Sequence, residues 1–215
     1  MHREAFYEAL QRRARLRPRA PRHASADPHP VVARVRAALL LRRAHPPEES
    51  ELIAEARAFA LSIPAPVRLQ VCVSLDRAQA YVYAWMEAAV LAACPPGEEA
   101  RSARLAPLME WQGAAAAEHA PYHYVVTSDV AAEQEADFNR WYDTEHMPRL
   151  AAEAGAVHCA RLTSHDTTPR YYACYDLTGP DVPDDADCPY STNPRRTMFR
   201  TLVDERRLAV SSAYF

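Results

Sequence analysis

Three ionisable side chains, Asp143, Glu145 and His146, lie within four consecutive positions and form the best candidate for chemistry in the sequence. A histidine titrates near neutral pH and can exchange protons with a bound substrate. Neighbouring carboxylates can orient its imidazole or raise its pKa. The pattern predicts His146 as a general acid or base, assisted by Asp143 and Glu145. The alternative is a histidine at a helix end, hydrogen-bonded to carbonyl groups and stabilised by the helix dipole.

Aromatic and basic side chains near this group are candidates for binding a substrate: Tyr124, Trp141, Tyr142, Arg161, Tyr171 and Tyr175. The tyrosines of the predicted strands could donate hydrogen bonds to a developing enolate or carbonyl oxygen. Arg161 could hold a carboxylate through two parallel hydrogen bonds, and a surface or interdomain salt bridge is the alternative for it. For Trp141 and Tyr142 the alternative is packing of a helix against a sheet.

The candidate group ends a predicted helix, Ala131–Glu145. One face of this helix carries side chains at spacings of three and four, namely Phe138, Trp141, Tyr142 and Glu145. Because proline disfavours helix in the preceding residue, we expect Met147 to be extended and the helix to stop there. Pro148 would begin a second short helix that Gly155 caps. His146 would then lie at a corner between two helices.

The other elements follow from hydrophobic periodicity. Strands are predicted at Val31–Arg42, Val67–Leu75, Gln79–Met86, Tyr122–Ser128, Ala156–Thr163, Arg170–Leu177 and Leu208–Phe215. Further helices are predicted from Pro46 to Pro64, over Glu98–Ala117 and over Thr197–Arg207. The order strand–helix–strand–strand–helix thus occurs twice, over residues 31–117 and 122–215. The first copy lacks a clear closing strand.

One such unit makes a small antiparallel sheet with helices on one face, the ferredoxin-like arrangement, and its open face must be covered. The sequence therefore predicts an α+β fold with two ferredoxin-like units in tandem, their sheets packed face to face. Residues 1–30 would form a separate region, a short helix followed by an arginine- and proline-rich connector.

The charge of the chain is uneven, since residues 1–50 hold 11 Arg against 5 acidic residues in a protein of net charge −3. A basic run of this kind could bind nucleic acid or an acidic surface. No aromatic residues alternate with the arginines of the connector, however, and base stacking requires them. We therefore expect a solvated connector and no nucleic-acid partner.

Composition argues against several classes of protein. No apolar segment reaches the ~18 residues of a membrane span, and no signal region is evident, so we expect a cytoplasmic protein without a membrane partner. Five widely spaced cysteines without a C-x-x-C pair argue against disulfides and structural zinc. The nine histidines show no metal-ligand spacing, and four glycines could hardly build a phosphate loop. We expect neither a metal nor a cofactor.

The helix motif resembles one protein family. The stretch FNRWYDTEHMPRL, the following Gly155, a strand with Cys159-Ala160-Arg161, the strand PRYYACYDL and a late NPRR are similar to the dimeric α/β-barrel superfamily. The pattern W-Y-x-x-E-H-x-P is most similar to the branch of ethyl tert-butyl ether degradation-type proteins, and more distantly to methylmuconolactone isomerases and polyketide cyclases. The resemblance covers residues 122–215. The first half weakly resembles the stress-responsive branch and lacks a copy of the motif, which indicates a degenerate unit.

This resemblance implies a function. It implies an enzyme that transfers protons without a cofactor, of isomerase, cyclase or lyase type, on an aromatic, lactone or polyketide-like small molecule. The alternative is a non-catalytic ligand-binding or assembly module. Members usually pair as homodimers, so this chain would contain a pseudo-dimer and could also form homo-oligomers. Some members bind haem through a histidine, although nothing in this sequence singles out an axial ligand.

Overall fold

The structure is a computed structural model that describes residues 36–94, 102–164, 166–181 and 190–208. Its elements in chain order are β1 (Arg36–Ala44), α1 (Glu49–Ser62), β2 (Val67–Ser74), β3 (Gln79–Glu87), α2 (Ala88–Ala93), β4 (Ser102–Gln112), β5 (Tyr122–Ser128), a 3₁₀ turn (Ala132–Gln134), α3 (Glu135–Trp141), a π-helical turn (Tyr142–His146), α4 (Met147–Ala151), β6 (Ala156–Ser164), β7 (Tyr171–Leu177) and β8 (Arg195–Arg207). The predicted N-terminal region 1–30 and almost all of the predicted final strand, Leu208–Phe215, lie outside the described residues.

The eight strands form one closed antiparallel barrel in the order β1-β3-β2-β8-β5-β7-β6-β4. Each half of the chain contributes four adjacent strands, and the halves join where β2 pairs with β8 and where β4 pairs with β6. The prediction of an α+β fold with an antiparallel barrel is confirmed. The sheets are not two separate layers stacked face to face, because closure into a barrel gives every edge strand a hydrogen-bonding partner.

Side chains along each strand point alternately into and out of the barrel, and the core consists of three clusters. Inward-facing side chains, mostly aromatic and aliphatic, fill the barrel, with Tyr83 and Phe199 completely buried there. On the outside of the first half, α1 and α2 cover an aliphatic cluster that includes Leu52 and Leu69. On the outside of the second half, the helical segment 132–151 covers an aromatic cluster, which we call the outer aromatic cluster: Trp111, Tyr124, Phe138, Tyr142, Tyr171, Tyr175 and their aliphatic neighbours.

Two predicted helices are wrong. Glu98–Ala117 contains strand β4, and Thr197–Arg207 lies within strand β8. Alanine and arginine favour helices in isolation, which is why local composition misled the prediction. Both segments lie at the junctions between the two halves and gain strand partners on each side, β1 and β6 for β4, β2 and β5 for β8. Tertiary pairing therefore overrides local propensity.

Strand β4 is also the closing strand that the sequence did not reveal in the first half. Pro107 lies within it, and the pairing with β6 shifts register between Pro107 and Met109. Proline cannot donate a ladder hydrogen bond and is tolerated in strands at such irregularities. Among the described residues, no helix combines the length and the apolar character required to cross a membrane.

Candidate functional site

The segment between β5 and β6 forms a continuous run of helix instead of the predicted corner. Met147 is helical (φ −64°, ψ −44°), and its N–H bonds to the carbonyl of Tyr142, five residues earlier. The next residue, Pro148, has no N–H to donate, so one α-helical hydrogen bond is lost there. The wider turn accommodates this loss, and the chain remains helical. The expected helix break at Met147 is therefore wrong. Short π-helical turns are frequent at functional sites.

The π-helical turn places His146 inside the protein. Its residue is 3% exposed, and its ring stacks on Trp141 with centroids 4.3 Å apart and planes at 21°. Tyr142 meets the same imidazole edge to face, at 5.0 Å and 85°. The sequence predicted His146 at a corner between two helices, whereas its ring is buried within a continuous helical run.

The two candidate carboxylates differ from His146 in their surroundings. Asp143 and Glu145 are both exposed. The Asp143 Oδ1 accepts a hydrogen bond from Nη1 of Arg161 at 3.3 Å, so this acid faces the arginine. Glu145 was predicted on the same face as Phe138, but Phe138 is buried and Glu145 is exposed. The assignment of both acids as partners of His146 stays a prediction.

Arg161 is the most unusual side chain that packs against the outer aromatic cluster. It projects from β6, is only 1% exposed, and its guanidinium carbon lies 4.2 Å from the ring centre of Tyr142 and 4.8 Å from that of Phe138. Its Nη2 donates to Oδ1 of Asn139 at 2.6 Å. Burial lowers the pKa of the guanidinium, and the nearby Tyr142 and Asp143 partly oppose this. Its buried Nε–H has no acceptor within the residues that the structure describes.

The three candidate tyrosines line the outer aromatic cluster from the sheet side. Tyr171 donates a short hydrogen bond to Glu135, and burial followed by this bond raises its pKa. Glu135 also forms an ion pair with Arg170 at 3.2 Å. The rings of Tyr124 and Tyr175 lie 5.9 Å apart on neighbouring strands. The structure thus gathers all six predicted binding residues between one helical segment and one face of the sheet.

A second polar group, inside the barrel, was missed by the sequence analysis. The Asp176 Oδ1 accepts hydrogen bonds from Gln70 Nε2 at 3.0 Å and from His123 Nδ1 at 2.7 Å. Its Oδ2 faces Arg68 at 3.7 Å and His158 at 3.6 Å. Burial opposes ionisation of this carboxyl, but the hydrogen bonds and charges of His123 and His158 outweigh burial and hold its pKa well below its usual range.

This barrel network extends to three more residues. Trp85 Nε1 donates to Gln70 at 2.9 Å, and the Tyr83 hydroxyl lies 3.3 Å from His123 Nε2. His158 faces Glu110 at 3.7 Å as well as Asp176. Burial alone would lower the pKa of His158, but these two carboxylates raise it to about 9. No sequence motif indicates the network, because its members come from six different strands and meet only through the barrel register.

Other features of the described residues do not add to the site. No group of three His, Cys, Asp or Glu side chains among them is placed to hold a metal ion. An open cleft of about 500 Å³ lies at the ends of β1 and β3 and the start of α1, lined by Arg42, Arg43, Ala44, His45, Pro46, Pro47, Glu55 and Gln79. None of the predicted site residues lines it.

Comparison with known proteins gives similarity of structure only. No family model matches the chain, and no curated protein is significantly similar to it. An anthrone oxidase-like protein superposes with a TM-score of 0.59 and 11% identity, over 84% of this chain and 96% of that one. A candidate monooxygenase from Fusobacterium nucleatum subsp. nucleatum gives 0.56 and 11%, over 82% and 96%. A candidate monooxygenase from Lactobacillus acidophilus gives 0.55 and 9%, over 81% and 98%.

The likeness shows a shared fold. The neighbours match nearly their whole length to this eight-stranded antiparallel barrel, so the predicted barrel fold is confirmed. The finer resemblance to the ethyl tert-butyl ether degradation branch is not among these matches.

Proposed function

We propose that the space between the helical segment 132–151 and the outer face of β5, β7 and β6 binds a small aromatic, lactone or polyketide-like molecule. The protein would transfer protons on it without a cofactor, in an isomerase-, cyclase- or lyase-like reaction. The observation that carries this proposal is Arg161, a buried cation with one N–H that has no hydrogen-bond acceptor among the described residues.

A buried arginine is costly to maintain for packing alone. Removing a charge from water costs several kcal/mol unless pairing and hydrogen bonds compensate. Asn139 accepts one hydrogen bond at 2.6 Å, but the Asp143 contact is longer, at 3.3 Å, and that carboxylate is 44% exposed. A substrate oxyanion beside Nε would accept the hydrogen bond that the guanidinium lacks. In a site with little water, such an interaction strengthens as negative charge develops on oxygen.

His146 is the group we propose for proton transfer. It is buried beside Trp141 and Tyr142, and the guanidinium of Arg161 also packs against the ring of Tyr142. An imidazole next to a cation that stabilises an enolate is a suitable base for a carbon acid. Asp143 and Glu145 would tune it from the solvent side of the π-helical turn.

The nature of the substrate and the organisation of the chain are also proposals. Two of the structural neighbours carry the names anthrone oxidase-like and monooxygenase, which favours a polycyclic aromatic ketone within the proposed range. The strand order β4-β1-β3-β2 in one half and β8-β5-β7-β6 in the other supports two ferredoxin-like units. We propose that the chain is a pseudo-dimer of such units, the second similar to the ethyl tert-butyl ether degradation branch.

The second candidate function is a non-catalytic ligand-binding or assembly module. The stacking of His146 on Trp141 favours it, because a buried ring packed on another ring also fastens the helical segment to the sheet. This packing means that His146→Ala should lose stability by roughly 2 kcal/mol or more even if His146 is catalytic. Loss of stability therefore cannot separate the two functions, and a variant that preserves the ring is required.

The test uses His146→Phe, which retains an aromatic ring for stacking but cannot accept a proton. The probe is anthrone, whose methylene protons exchange with deuterium in D₂O through the enolate, followed by proton NMR. We expect the wild type to accelerate exchange and His146→Phe to return it to the buffer rate. His119→Phe, at an exposed histidine in the loop after β4, is the matched control and should exchange like the wild type.

The outcomes distinguish the candidates. If His146→Phe exchanges deuterium as fast as the wild type, His146 is not the base. If anthrone raises the melting temperature of the wild type without accelerated exchange, the protein is a binding module. If neither exchange nor a thermal shift occurs with anthrone or with a panel of aromatic acids and lactones, the proposed site is wrong.

A further inference from the structure

The register of the barrel places four side chains in one row across its outer face. Trp111 on β4 lies opposite Cys159 on β6, Cys159 lies opposite Tyr175 on β7, and Tyr175 lies opposite Tyr124 on β5. Side chains that are directly opposite on paired strands share one face of a sheet, with Cβ atoms about 5 Å apart. All four belong to the outer aromatic cluster.

Arg161 lies in the adjacent row, opposite Met109 on β4. It is two residues along β6 from Cys159, and its opposite neighbour on β7 is Ala173. Cys159 and Ala173 are small, whereas Trp111, Tyr175 and Arg161 around them are large. Cys159 is therefore a small neighbour of both residues, opposite Trp111 across the strand pair and next to Arg161 on the same face of β6. Two residues along a strand correspond to roughly 6.6 Å.

Trp111 carries a second buried donor on this face of the sheet. The residue is 8% exposed, and its Nε1–H has no acceptor among the described side chains and backbone groups. A buried indole N–H usually has a hydrogen-bond partner, as that of Trp85 has in Gln70. The two residues that carry buried donors without acceptors, Trp111 (Nε1–H) and Arg161 (Nε–H), are thus both neighbours of Cys159 on one face of the sheet.

We infer that Trp111 is a ligand-binding residue of the proposed site, and that the ligand is a rigid aromatic molecule with an anionic oxygen group at one end and an acceptor oxygen at the other. Arg161 binds the anionic group, and Trp111 donates to the second oxygen, at a separation of roughly 5 to 8 Å set by the strand repeat. The inference rests on the proposed function. Because β4 belongs to the first half of the chain, the degenerate half would supply part of the site of the other half.

The test compares two soluble probes that differ by one oxygen, benzoate and 4-hydroxybenzoate, by isothermal titration calorimetry. The hydroxyl oxygen of 4-hydroxybenzoate lies across the ring from the carboxylate, at a distance within the range of roughly 5 to 8 Å. We expect the wild type to bind 4-hydroxybenzoate about 5-fold more tightly, the usual size of one net hydrogen bond. Trp111→Phe, which keeps the ring and removes the donor, should bind both probes equally. Arg161→Met should weaken both probes by the same factor.

The results separate this inference from the proposed function. If Arg161→Met weakens both probes but Trp111→Phe keeps the preference for 4-hydroxybenzoate, the inference is wrong and the site stands. If the wild type binds neither probe, or binds them only as weakly as Arg161→Met does, the inference and the proposed function are both wrong.

A second measurement covers the case in which Trp111→Phe fails to fold. In the wild-type ¹H–¹⁵N spectrum the three indole N–H signals come from Trp85, Trp111 and Trp141. We expect 4-hydroxybenzoate, and not benzoate, to shift the Trp111 signal, while the Trp85 signal, bonded to Gln70, is unaffected. A Trp111 signal that responds equally to both probes, or to neither, overturns the inference.

Discussion

His158 should make the stability of the protein depend on pH between 6 and 8.5. Its ring nitrogens face Asp176 at 3.6 Å and Glu110 at 3.7 Å, and these carboxylates raise its pKa from 6.5 to about 9. A group whose pKa is higher in the folded state stabilises the fold fully below its unfolded pKa. The contribution is then lost as the pH rises through the folded value. We therefore expect stability to fall from pH 6.5 toward pH 9.

The size of the effect follows from the two pKa values. Proton linkage between pKa 6.5 and about 9 removes at most ~2.4 kcal/mol as the pH rises from 6 to 8.5. The His158 side chain is 31% exposed, and solvent screening weakens its ion pairs, so we expect about 1 to 1.5 kcal/mol. For a chain of this length, that corresponds to a decrease in melting temperature of roughly 3 to 5 °C.

The assay compares melting temperatures of the wild type and His158→Gln across this interval. Glutamine retains hydrogen bonding but does not titrate, so its melting temperature should change little with pH and should approach the wild-type value near pH 8.5. The interval stops at pH 8.5 because burial raises the pKa of the Cys159 and Cys174 thiols, which also lowers stability in more alkaline solution. His119→Gln is the control for an exposed histidine and should follow the wild type.

Equal decreases in melting temperature between pH 6 and 8.5 in the wild type and in His158→Gln would refute the reasoning. That result would mean that His158 is neutral in the fold and that Asp176 is balanced by Arg68 and its hydrogen bonds alone. A loss in the wild type that disappears in His158→Gln, with His119→Gln unchanged, would confirm a protonated imidazole in the barrel network.

Two further predictions concern the backbone and the undescribed N-terminal region. Gly113→Ala should lower the melting temperature by roughly 6 °C or more, because its Cβ would lie 2.0 Å from the carbonyl oxygen of Ala156, a backbone atom that cannot move aside. Gly179→Ala, where the new Cβ meets nothing within 4 Å, should melt like the wild type, and equal losses would contradict the steric argument. Deletion of residues 1–30 should leave the melting temperature within about 2 °C, since its composition predicts a solvated connector; a loss of several degrees in a thermal melt would show that this region docks on the barrel.

The sequence was sufficient wherever local pattern and tertiary role agree. Strands such as Val67–Ser74 and Tyr171–Leu177 alternate or carry many β-branched and aromatic residues, so their periodicity identifies them without knowledge of their partners. The helix face predicted from spacing also places Phe138 and Tyr142 in contact, because side chains four residues apart are neighbours on a helix.

Only the tertiary structure decided the remaining features. β4 and β8 are strands because the closed barrel offers each a partner on both sides, and a single chain segment carries no record of such partners. The π-helical turn also depends on packing, since local rules for proline predict a break at Met147.

The polar groups of the core show most clearly that the sequence alone does not identify tertiary contacts. Asp176, His123 and Gln70 lie far apart in the chain, and each is an ordinary polar residue in a strand. Which of two faces a strand residue takes, and what stands opposite it, is set by register, and a shift of one residue would exchange the faces. The sequence alone determined the types of side chain available to the protein, and the register of the barrel determined which of them meet: Trp111 and Cys159 on the outer face, and the carboxylate and its histidines inside.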